Sequence, residues 1–295
     1  MSASAKSNYF QQVQVRGEVL RALRTFFWQE DYLETDSPIR LQTPALEDYI
    51  DAIKSEELYL RTSPEFHMKR LLAEGFERIF QIGSCFRAKE YGDRHRSEFT
   101  MLEWYRTNAD YLDILDDCQK LCRFIAHSLK MKEDYFAQEW QVLTVDEAFI
   151  QFTGKSVHEA IANDQFEEVL CFEIEPHLGK DRPTILIDYP ASMAALAKMK
   201  NDDVAERWEM YINGLEIANA YSELTNAQEQ RTRFEECAKL RADDQREVYA
   251  IDEEFMKALD KGIPPTGGIA VGVDRLIMAF TDTMDISEAI NFSEE

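Results

Sequence analysis

Residues 78–106 read RIFQIGSCFRAKEYGDRHRSEFTMLEWYR and predict the centre of the fold. The apolar residues of 78–87 and 99–106 favour two strands, and the polar segment 90–97 between them favours a loop. We therefore expect an antiparallel hairpin with a long loop. Because side chains alternate along a strand, four residues of the second strand would share one face: Phe99, Met101, Glu103 and Tyr105.

That shared face carries a carboxylate and a phenol among apolar neighbours. The carboxylate of Glu103 accepts hydrogen bonds and the hydroxyl of Tyr105 can also accept them, which suits an ammonium ligand. The alternative is an ordinary solvated strand face. The residue pattern by itself leaves both interpretations open.

The rest of the chain alternates between helices and strands. We predict a loose tail over 1–12, an amphipathic helix over 13–30 and extended segments at 32–40 and 57–61. Ser63-Pro64-Glu65 is a helix-start signal. Further helices are predicted at 110–131, 145–170, 226–242, 252–260 and 273–281, and further strands at 184–188, 207–217 and 267–272. This order predicts an α+β fold, an antiparallel sheet flanked by helices in one domain over 13–295.

A second informative segment, GLEIANAYSEL, covers residues 214–224. It contains Glu216 and Glu223, and carboxylates buried without partners are costly. Mg²⁺ that bridges phosphates and is held by one or two carboxylates would explain both residues. They could share one Mg²⁺ only if a bulge or sharp twist lies between them, because strict alternation puts them on opposite faces. The alternative is two exposed carboxylates at a sheet edge.

A third segment, GIAVGVDR at 268–275, joins a strand of small residues to a helix. Small residues let a flat ligand approach the backbone. The helix N-terminus and the guanidinium of Arg275 offer positive potential and a planar donor fork for phosphate. A glycine-rich stretch alone is weak evidence, but together with the arginine and the other two segments it indicates a phosphate site.

The composition argues against several classes of protein. The chain has 295 residues, with 33 Lys+Arg and 56 Asp+Glu, and the net charge of −23 comes almost wholly from residues 108–295. Such a chain is a poor candidate for wrapping nucleic acid. No apolar run approaches the ~18 residues of a membrane span. Five cysteines without a C-x-x-C pair argue against a disulfide framework or zinc cluster, so we expect a cytoplasmic protein.

The three segments together resemble the signature motifs of class II aminoacyl-tRNA synthetases. The stretches TSPEFHMKRLL, EFTMLEWY and GLEIANAYSELT are similar to the lysyl branch of that class. Ser63-Pro64-Glu65 and Ala270 resemble its free-standing paralogs, the elongation factor P lysine lysyltransferases. The resemblance covers roughly 13–293. It implies a class II catalytic core without the N-terminal anticodon-binding domain.

The resemblance implies a set of ATP contacts. Arg87 would hold the α-phosphate and stabilise the charge that develops there, and Arg275 would hold the γ-phosphate, which makes these the two expected catalytic residues. Glu216 and Glu223 would hold Mg²⁺. The full set expected at ATP is Arg87, Lys89, Arg96, Phe99 (under adenine), Glu216, Ile217, Gly272 and Arg275.

The resemblance also implies an amino-acid pocket and an assembly. Ser63 and Glu65 would contact the amino group nearer the substrate carboxylate, and Ala270 would take space there. Pro38 belongs to a motif that builds a homodimer interface in the family, so a homodimer is expected. The full set expected at the amino acid is Ser63, Glu65, Glu103, Tyr105, Asn219, Tyr221, Glu223 and Ala270.

Two positions depart from the family pattern. Lys89 stands where most relatives have a glutamate, and it would point the same way as Arg87 if the strand continued. Glu90 could replace that glutamate only if the strand bulged or slipped. In the following loop, Arg96-Ser97 replaces Asn-Pro. Both changes are expected to affect ATP recognition.

The predicted function is that of an ATP-dependent ligase that does not use tRNA. It would activate a lysine-type amino acid, with β-lysine expected, as an adenylate and transfer the acyl group to a lysine of elongation factor P. Two alternatives stay open. One is a truncated synthetase that charges tRNA or another carrier, against which the acidic second part weighs. The other is a catalytically silent regulatory paralog, which Lys89 and Arg96 would permit.

Overall fold

The computed structural model describes residues 3–292, and its main element is an eight-stranded sheet. The strands in this part of the chain are β1 (Leu33–Glu34), β2 (Arg40–Leu41), β3 (Lys54–Ser55), β4 (Leu58–Leu60), β5 (Arg78–Phe86), β6 (Glu98–Thr107), β7 (Gln141–Thr144), β8 (Thr184–Pro190), β9 (Val204–Ile212), β10 (Leu215–Ser222) and β11 (Thr266–Gly272). The large sheet has the order β1-β5-β6-β11-β10-β9-β8-β7, and β2-β4-β3 form a small second sheet.

Helices flank the large sheet. They are α1 (Ala3–Gln29), α2 (Glu65–Ala73), α3 (Tyr111–Leu129), α4 (Glu133–Ala137), α5 (Val145–Thr153), α6 (Val157–Ala162), α7 (Phe166–Val169), α8 (Ala227–Asp243), α9 (Glu253–Lys261) and α10 (Val273–Thr281). Among the helices of residues 3–292, none is long and apolar enough to cross a membrane.

The centre of the sheet is antiparallel, and the predicted α+β class is confirmed. β5 and β6 form the expected hairpin, with pairs running from Arg78 opposite Arg106 to Phe86 opposite Glu98. In the run β5-β6-β11-β10-β9-β8, each strand pairs antiparallel with the next one. The two edge pairs, β1 with β5 and β7 with β8, are parallel. The sheet is therefore mixed only at its edges.

The two faces of the sheet have different coverings. Alternation along β6 puts Leu102 and Trp104 into an apolar core with α1, α3 and α10. Tyr105 faces the other way, where α2, α8 and α9 pack through aromatic residues such as Phe66 and Phe255. These three helices border the sheet and leave a cavity on this second face.

The predicted strand over 207–217 is two strands. β9 and β10 are joined by Asn213-Gly214, and both residues have positive φ angles, 52° and 74°. Asn-Gly is the preferred sequence for such a two-residue hairpin turn. Asn213-Gly214 is therefore a local turn signal, and the prediction of one strand over 207–217 did not take it into account.

Two predicted boundaries are wrong. Residues 3–12 are helical rather than a loose tail, since α1 begins at Ala3; Met1 and Ser2 lie outside the described residues. No glycine or proline interrupts this stretch, and the Gln12 amide donates to the carbonyls of Ser287 and Ile290. The single helix predicted over 145–170 is divided into α5, α6 and α7, because Gly154 after α5 and Asp164 after α6 both adopt left-handed conformations.

Candidate active site

The cavity on the second face has a volume of about 920 Å³, which is within the usual range for small-molecule sites. It lies over the middle of the sheet, where β6, β11 and β10 are neighbours. All the predicted site residues except Lys89 line it: Ser63, Glu65, Arg87, Arg96, Phe99, Glu103, Tyr105, Glu216, Ile217, Asn219, Tyr221, Glu223, Ala270, Gly272 and Arg275.

Lys89 lies outside the cavity. β5 ends at Phe86, and Lys89 then adopts a left-handed conformation with φ 64°. Its side chain is 85% exposed, and its Nζ lies 3.4 Å from a carboxylate oxygen of Asp51. Glu90 lines the cavity in its place, with Oε1 3.9 Å from Nη1 of Arg87. The premise that placed Lys89 at ATP, a strand that continues past Arg87, is therefore wrong.

At one end of the cavity, Glu103 is held by two hydroxyl groups. Ser63 Oγ donates to one carboxylate oxygen at 2.5 Å, and the Tyr105 hydroxyl donates to the other at 2.9 Å. Glu103 is 1% exposed, which rules out the solvated-face interpretation. Burial, reinforced by the nearby Glu65, raises the pKa of Glu103 to about 8.

Lys69 of α2 joins two further carboxylates at this end. Its Nζ contacts Glu65 one helical turn earlier and lies 2.5 Å from Glu223 after β10. Burial lowers the pKa of Lys69, but the carboxylates of Glu223 and Glu65 outweigh that effect and raise it. Lys69 is not among the predicted site residues, because nothing in the helix pattern shows that its side chain reaches a carboxylate 154 positions later in the chain.

This end of the cavity is suited to a cation. Glu65 and Glu223 both contact the ammonium of Lys69, and the charges of Lys69 and Glu65 also act on the carboxylate of Glu103. Burial raises the pKa of Glu223, although Lys69 opposes the shift. A second ammonium would relieve the repulsion between these carboxylates. We call these four residues the carboxylate pocket.

At the other end, Arg87 faces the cavity largely unpaired. Its guanidinium carbon lies 5.1 Å from the ring centre of Phe99, so the two side chains stack as a cation–π pair. Its Nε is buried and has no hydrogen-bond partner within the described structure. A buried donor without an acceptor indicates a missing anionic or polar ligand.

Arg275 enters the same end from the first turn of α10. Its Nη1 donates to the backbone carbonyl of Glu216 at 2.9 Å and contacts the Glu216 carboxylate at 3.1 Å. Its Nη2 lies 2.6 Å from Nε2 of His95. Burial, with the charge of Arg275, lowers the pKa of His95 to about 4, so the imidazole is neutral near pH 7 and can accept this hydrogen bond.

A bulge in β10 turns its polar side chains toward the cavity. The pairing with β9 shifts register between Glu216 and Ala218. As a result Glu216 and Asn219 both line the cavity, while Ala218 and Ala220 pack into the apolar core on the other face. From the sequence, Glu216 and Glu223 could share one Mg²⁺ only if a bulge lay between them, and β10 has such a bulge.

The separation of the two glutamates along the chain nevertheless argues against a shared metal site. Glu223 follows Glu216 by seven positions, which is about 23 Å in a regular strand at ~3.3 Å per residue. Two carboxylates that bind one Mg²⁺ must both approach it to about 2.1 Å. Glu223 is also paired with Lys69, whereas Glu216 lies at the arginine end of the cavity. The bulge puts the two residues on one face but cannot bring them together.

The carboxylates that do lie close to Glu216 come from other segments. Burial, with repulsion from Glu209 of β9, raises the pKa of Glu216. Burial, with repulsion from Glu216 and Glu209, raises the pKa of Glu175 to about 7. Only the pairing of β9 with β10 brings Glu209 to this site, so the spacing within one segment could not reveal it.

Arg207 is a further cavity residue that sequence analysis missed. It lines the cavity between the two ends, and its guanidinium contacts Glu209 at 2.5 Å and Asn219 at 3.2 Å. The guanidinium carbon lies 4.3 Å from the ring centre of Tyr189 and 5.7 Å from that of Tyr221. Arg207 therefore fixes the polar side chains along the middle of the cavity floor.

β11 forms the floor itself. Ala270 pairs with Glu103 on one side and Asn219 on the other, and Gly268 lies two positions nearer the carboxylate pocket. A methyl group at Gly268 would lie 2.1 Å from Oε1 of Glu223 and 2.5 Å from the Tyr105 ring. At Gly272 it would meet only ordinary contacts with Arg275, the nearest at 3.8 Å. The floor thus has space for a side chain at the arginine end but none at the carboxylate end.

The sequence matches the protein family described as tRNA synthetases class II (D, K and N) over residues 2–295. Several curated relatives carry the name Elongation factor P--(R)-beta-lysine ligase. That of Hamiltonella defensa subsp. Acyrthosiphon pisum is 36% identical over 95% of this chain and 94% of that protein. That of Pectobacterium carotovorum is 35% identical over 95% and 94%, and that of Haemophilus influenzae strain PittGG is 36% identical over 94% and 93%.

Proposed function

This chain belongs to the class II tRNA synthetase family, and we propose that it is an ATP-dependent ligase that attaches a lysine-type amino acid to elongation factor P. The proposed amino acid is β-lysine, which is the group named for the relatives. In the first step the carboxylate of the amino acid attacks the α-phosphorus of ATP, and pyrophosphate leaves. In the second step an acceptor amine attacks the acyl carbonyl, and AMP leaves.

The observation that carries this proposal is that the two ends of one cavity have opposite charges. The carboxylate pocket lies at one end, and Arg87 and Arg275 lie at the other. From Gly268 to Gly272 the floor strand spans roughly 13 Å, which suits an extended aminoacyl-adenylate. The proposed roles follow: the carboxylates bind the ammonium groups, Arg87 stabilises charge at the α-phosphate, and Arg275 holds the γ-phosphate.

Mg²⁺ is proposed at the arginine end, where Glu216 and the neighbouring Glu209 would hold it. Burial, with repulsion from Glu209, raises the pKa of Glu216, and a divalent cation would remove that repulsion. When bound, Mg²⁺ would neutralise phosphate charge during pyrophosphate release. Glu223 belongs to the carboxylate pocket in this assignment.

ATP–pyrophosphate exchange with a panel of amino acids tests the proposal. We expect exchange that depends on β-lysine, followed by a mass increase of elongation factor P in the presence of both substrates. No exchange with any amino acid would instead support the silent paralog. The homodimer, the absence of tRNA binding and the cytoplasmic location remain part of the proposal; the family motif containing Pro38, the net charge of −23 and the free cysteines support them.

Replacing Arg275 by lysine is expected to slow pyrophosphate exchange at least ~10-fold, which corresponds to roughly 1.4 kcal/mol of transition-state binding. Lysine keeps the charge but cannot form the planar, two-pronged contact with phosphate. Exchange kinetics at saturating amino acid measure the effect. A wild-type exchange rate in this variant would remove Arg275 from the phosphate site.

Replacing Ala270 by glycine is expected to reduce the preference for β-lysine over α-lysine, mainly by improving α-lysine. The Ala270 methyl lies beside Glu103 and Asn219, where the α-amino group of ordinary lysine would come closest to the floor. A methyl-sized difference is worth about 1–3 kcal/mol, or roughly 10–200-fold in discrimination. The ratio of kcat/KM for β-lysine and α-lysine, measured on the wild type and on Ala270→Gly, tests this expectation. An unchanged ratio would assign the selectivity to other residues of the cavity.

A further inference from the structure

A carboxylate without a role in the reaction above, that of Glu47, lies in the wall of the same cavity. It belongs to the loop between β2 and β3. Glu65, Glu103 and Glu223 each have a cation or hydroxyl partner. In contrast, no hydrogen bond or ion pair reaches the Glu47 carboxylate from residues 9–292. It is thus a partly exposed carboxylate in the cavity wall that has no protein partner among these residues.

The loop that carries Glu47 is held firmly. Arg241 of α8 is fully buried, and its Nη1 donates to the backbone carbonyls of Glu47 at 2.6 Å and Ile50 at 2.9 Å. Its Nη2 contacts the Asp51 carboxylate at 2.9 Å, and the Asp51 carbonyl accepts a hydrogen bond from Ala88, next to Arg87. Glu47 is therefore fixed relative to the turn that presents Arg87.

The charges that act on Glu47 come from both ends of the cavity. Arg87 is the strongest opposite charge acting on its carboxylate, and Glu65 is the strongest like charge. In the proposed reaction Arg87 marks the α-phosphate and Glu65 marks the amino group nearest the acyl carbonyl. The bond that breaks during transfer would lie between those two points, and Glu47 lines the same cavity under the influence of both charges.

Burial raises the pKa of Glu47 to about 7, and Arg87 opposes this effect. A base of that strength is half ionised near neutral pH, where it can take a proton and release it again. The charged and titratable groups around it are Arg87 and Glu90 from the turn after β5, Glu65 from α2, Asp48 from its own loop, Tyr221 from β10, and Cys237 and Arg241 from α8.

The cavity reaches solvent beside this loop. Tyr49 and Leu240 both line it, and they are 64% and 37% exposed. An acceptor lysine that entered beside Tyr49 would approach the cavity through the loop that carries Glu47. Such a lysine arrives as an ammonium ion, because its ordinary pKa is about 10.4, and an ammonium ion has no lone pair for attack.

We propose that Glu47 is the general base of the transfer step, an inference that rests on the proposed function. The Glu47 carboxylate takes one proton from the acceptor ammonium. The freed lone pair forms the C–N bond to the acyl carbon, and the C–O bond to the α-phosphate breaks as AMP leaves. The amide nitrogen loses its second proton to solvent, so Glu47 needs to hold only one.

The Glu47→Gln variant tests this role, with Asp48→Asn as a matched loss of one charge in the same loop. Transfer to elongation factor P is measured in a single turnover from preformed adenylate, and Nα-acetyl-lysine amide at high concentration serves as a second acceptor. We expect Glu47→Gln to slow both transfers by about 10²–10⁴-fold. Pyrophosphate exchange should stay near the wild-type rate in both variants, and transfer should also stay near it in Asp48→Asn.

Hydroxylamine separates a base from a binding residue. Hydroxylamine is neutral at pH 7 and needs no deprotonation, so we expect the wild type and Glu47→Gln to form the hydroxamate at similar rates. The pH profile should differ as well. Wild-type transfer should rise through about pH 7, as Glu47 ionises, and then level off. Transfer by Glu47→Gln should instead rise about tenfold per pH unit with the free amine.

Three results would overturn the proposal. The first is transfer by Glu47→Gln at the wild-type rate. The second is an equal loss with lysine acceptors and hydroxylamine, and the third is a raised KM for the amino acid in exchange, because each of these two would show that Glu47 positions the amino acid. Absence of pyrophosphate exchange in the wild-type protein would instead contradict the proposed function. Failure of the proposed function and failure of the role of Glu47 are therefore distinguishable.

Discussion

Replacing Arg87 by alanine is expected to slow adenylate formation by about 10²–10³-fold, the usual cost of removing one donor aimed at developing charge. The guanidinium stacks on Phe99, and its buried Nε has no partner among the described residues. It is therefore oriented toward a group that the protein itself does not supply. Because the contact strengthens as charge develops at the α-phosphate, kcat and kcat/KM should fall together.

Arg87→Lys is the matched control for charge. We expect an intermediate loss, because the ammonium keeps the positive potential but not the planar fork. The unfolding temperature of both variants should stay close to that of the wild type, since the lost stacking contributes only ~0.5–1 kcal/mol at an accessible site. Loss of activity together with a large fall in the unfolding temperature would indicate a structural role for Arg87.

The second large effect is expected for Gly268→Ala, which should raise the KM for the amino acid by roughly 10–200-fold. The added methyl would lie 2.1 Å from Oε1 of Glu223 and 2.5 Å from the Tyr105 ring. Both groups must move, and Tyr105 also holds Glu103, so the side chains of Glu223, Tyr105 and Glu103 shift together. Exchange kinetics at varied amino acid and saturating ATP measure the change.

The adjacent Gly267→Ala variant separates pocket geometry from stability. Its methyl would point to the other face of the sheet, 2.5 Å from Ile114 and 2.6 Å from the carbonyl of Asp110. We expect it to lower the free energy of unfolding by about 1–3 kcal/mol or more and to leave the KM of the folded protein unchanged. A wild-type KM in Gly268→Ala would contradict the assignment of the carboxylate pocket.

Local features of the chain were readable without the structure. The hairpin around Arg87 follows from two apolar runs and a polar loop, and the start of α2 follows from Ser63-Pro64-Glu65. The strand and helix that present Arg275 follow from small residues and a 3.6-residue period. The sequence also implied the family that the comparison found. Each of these patterns is contained within about 30 residues, where propensity and alternation act directly.

Only the tertiary structure determines which side chains from distant segments lie close together. Glu216 lies close to Glu209 because β9 and β10 pair, whereas Glu223 pairs with Lys69 of a helix that precedes it by about 150 residues. Lys89 points away because a left-handed residue follows the end of β5. Strand register, a one-residue bulge and one backbone turn each reverse where a side chain points. Their energies depend on packing between segments, which no pattern within a single segment contains.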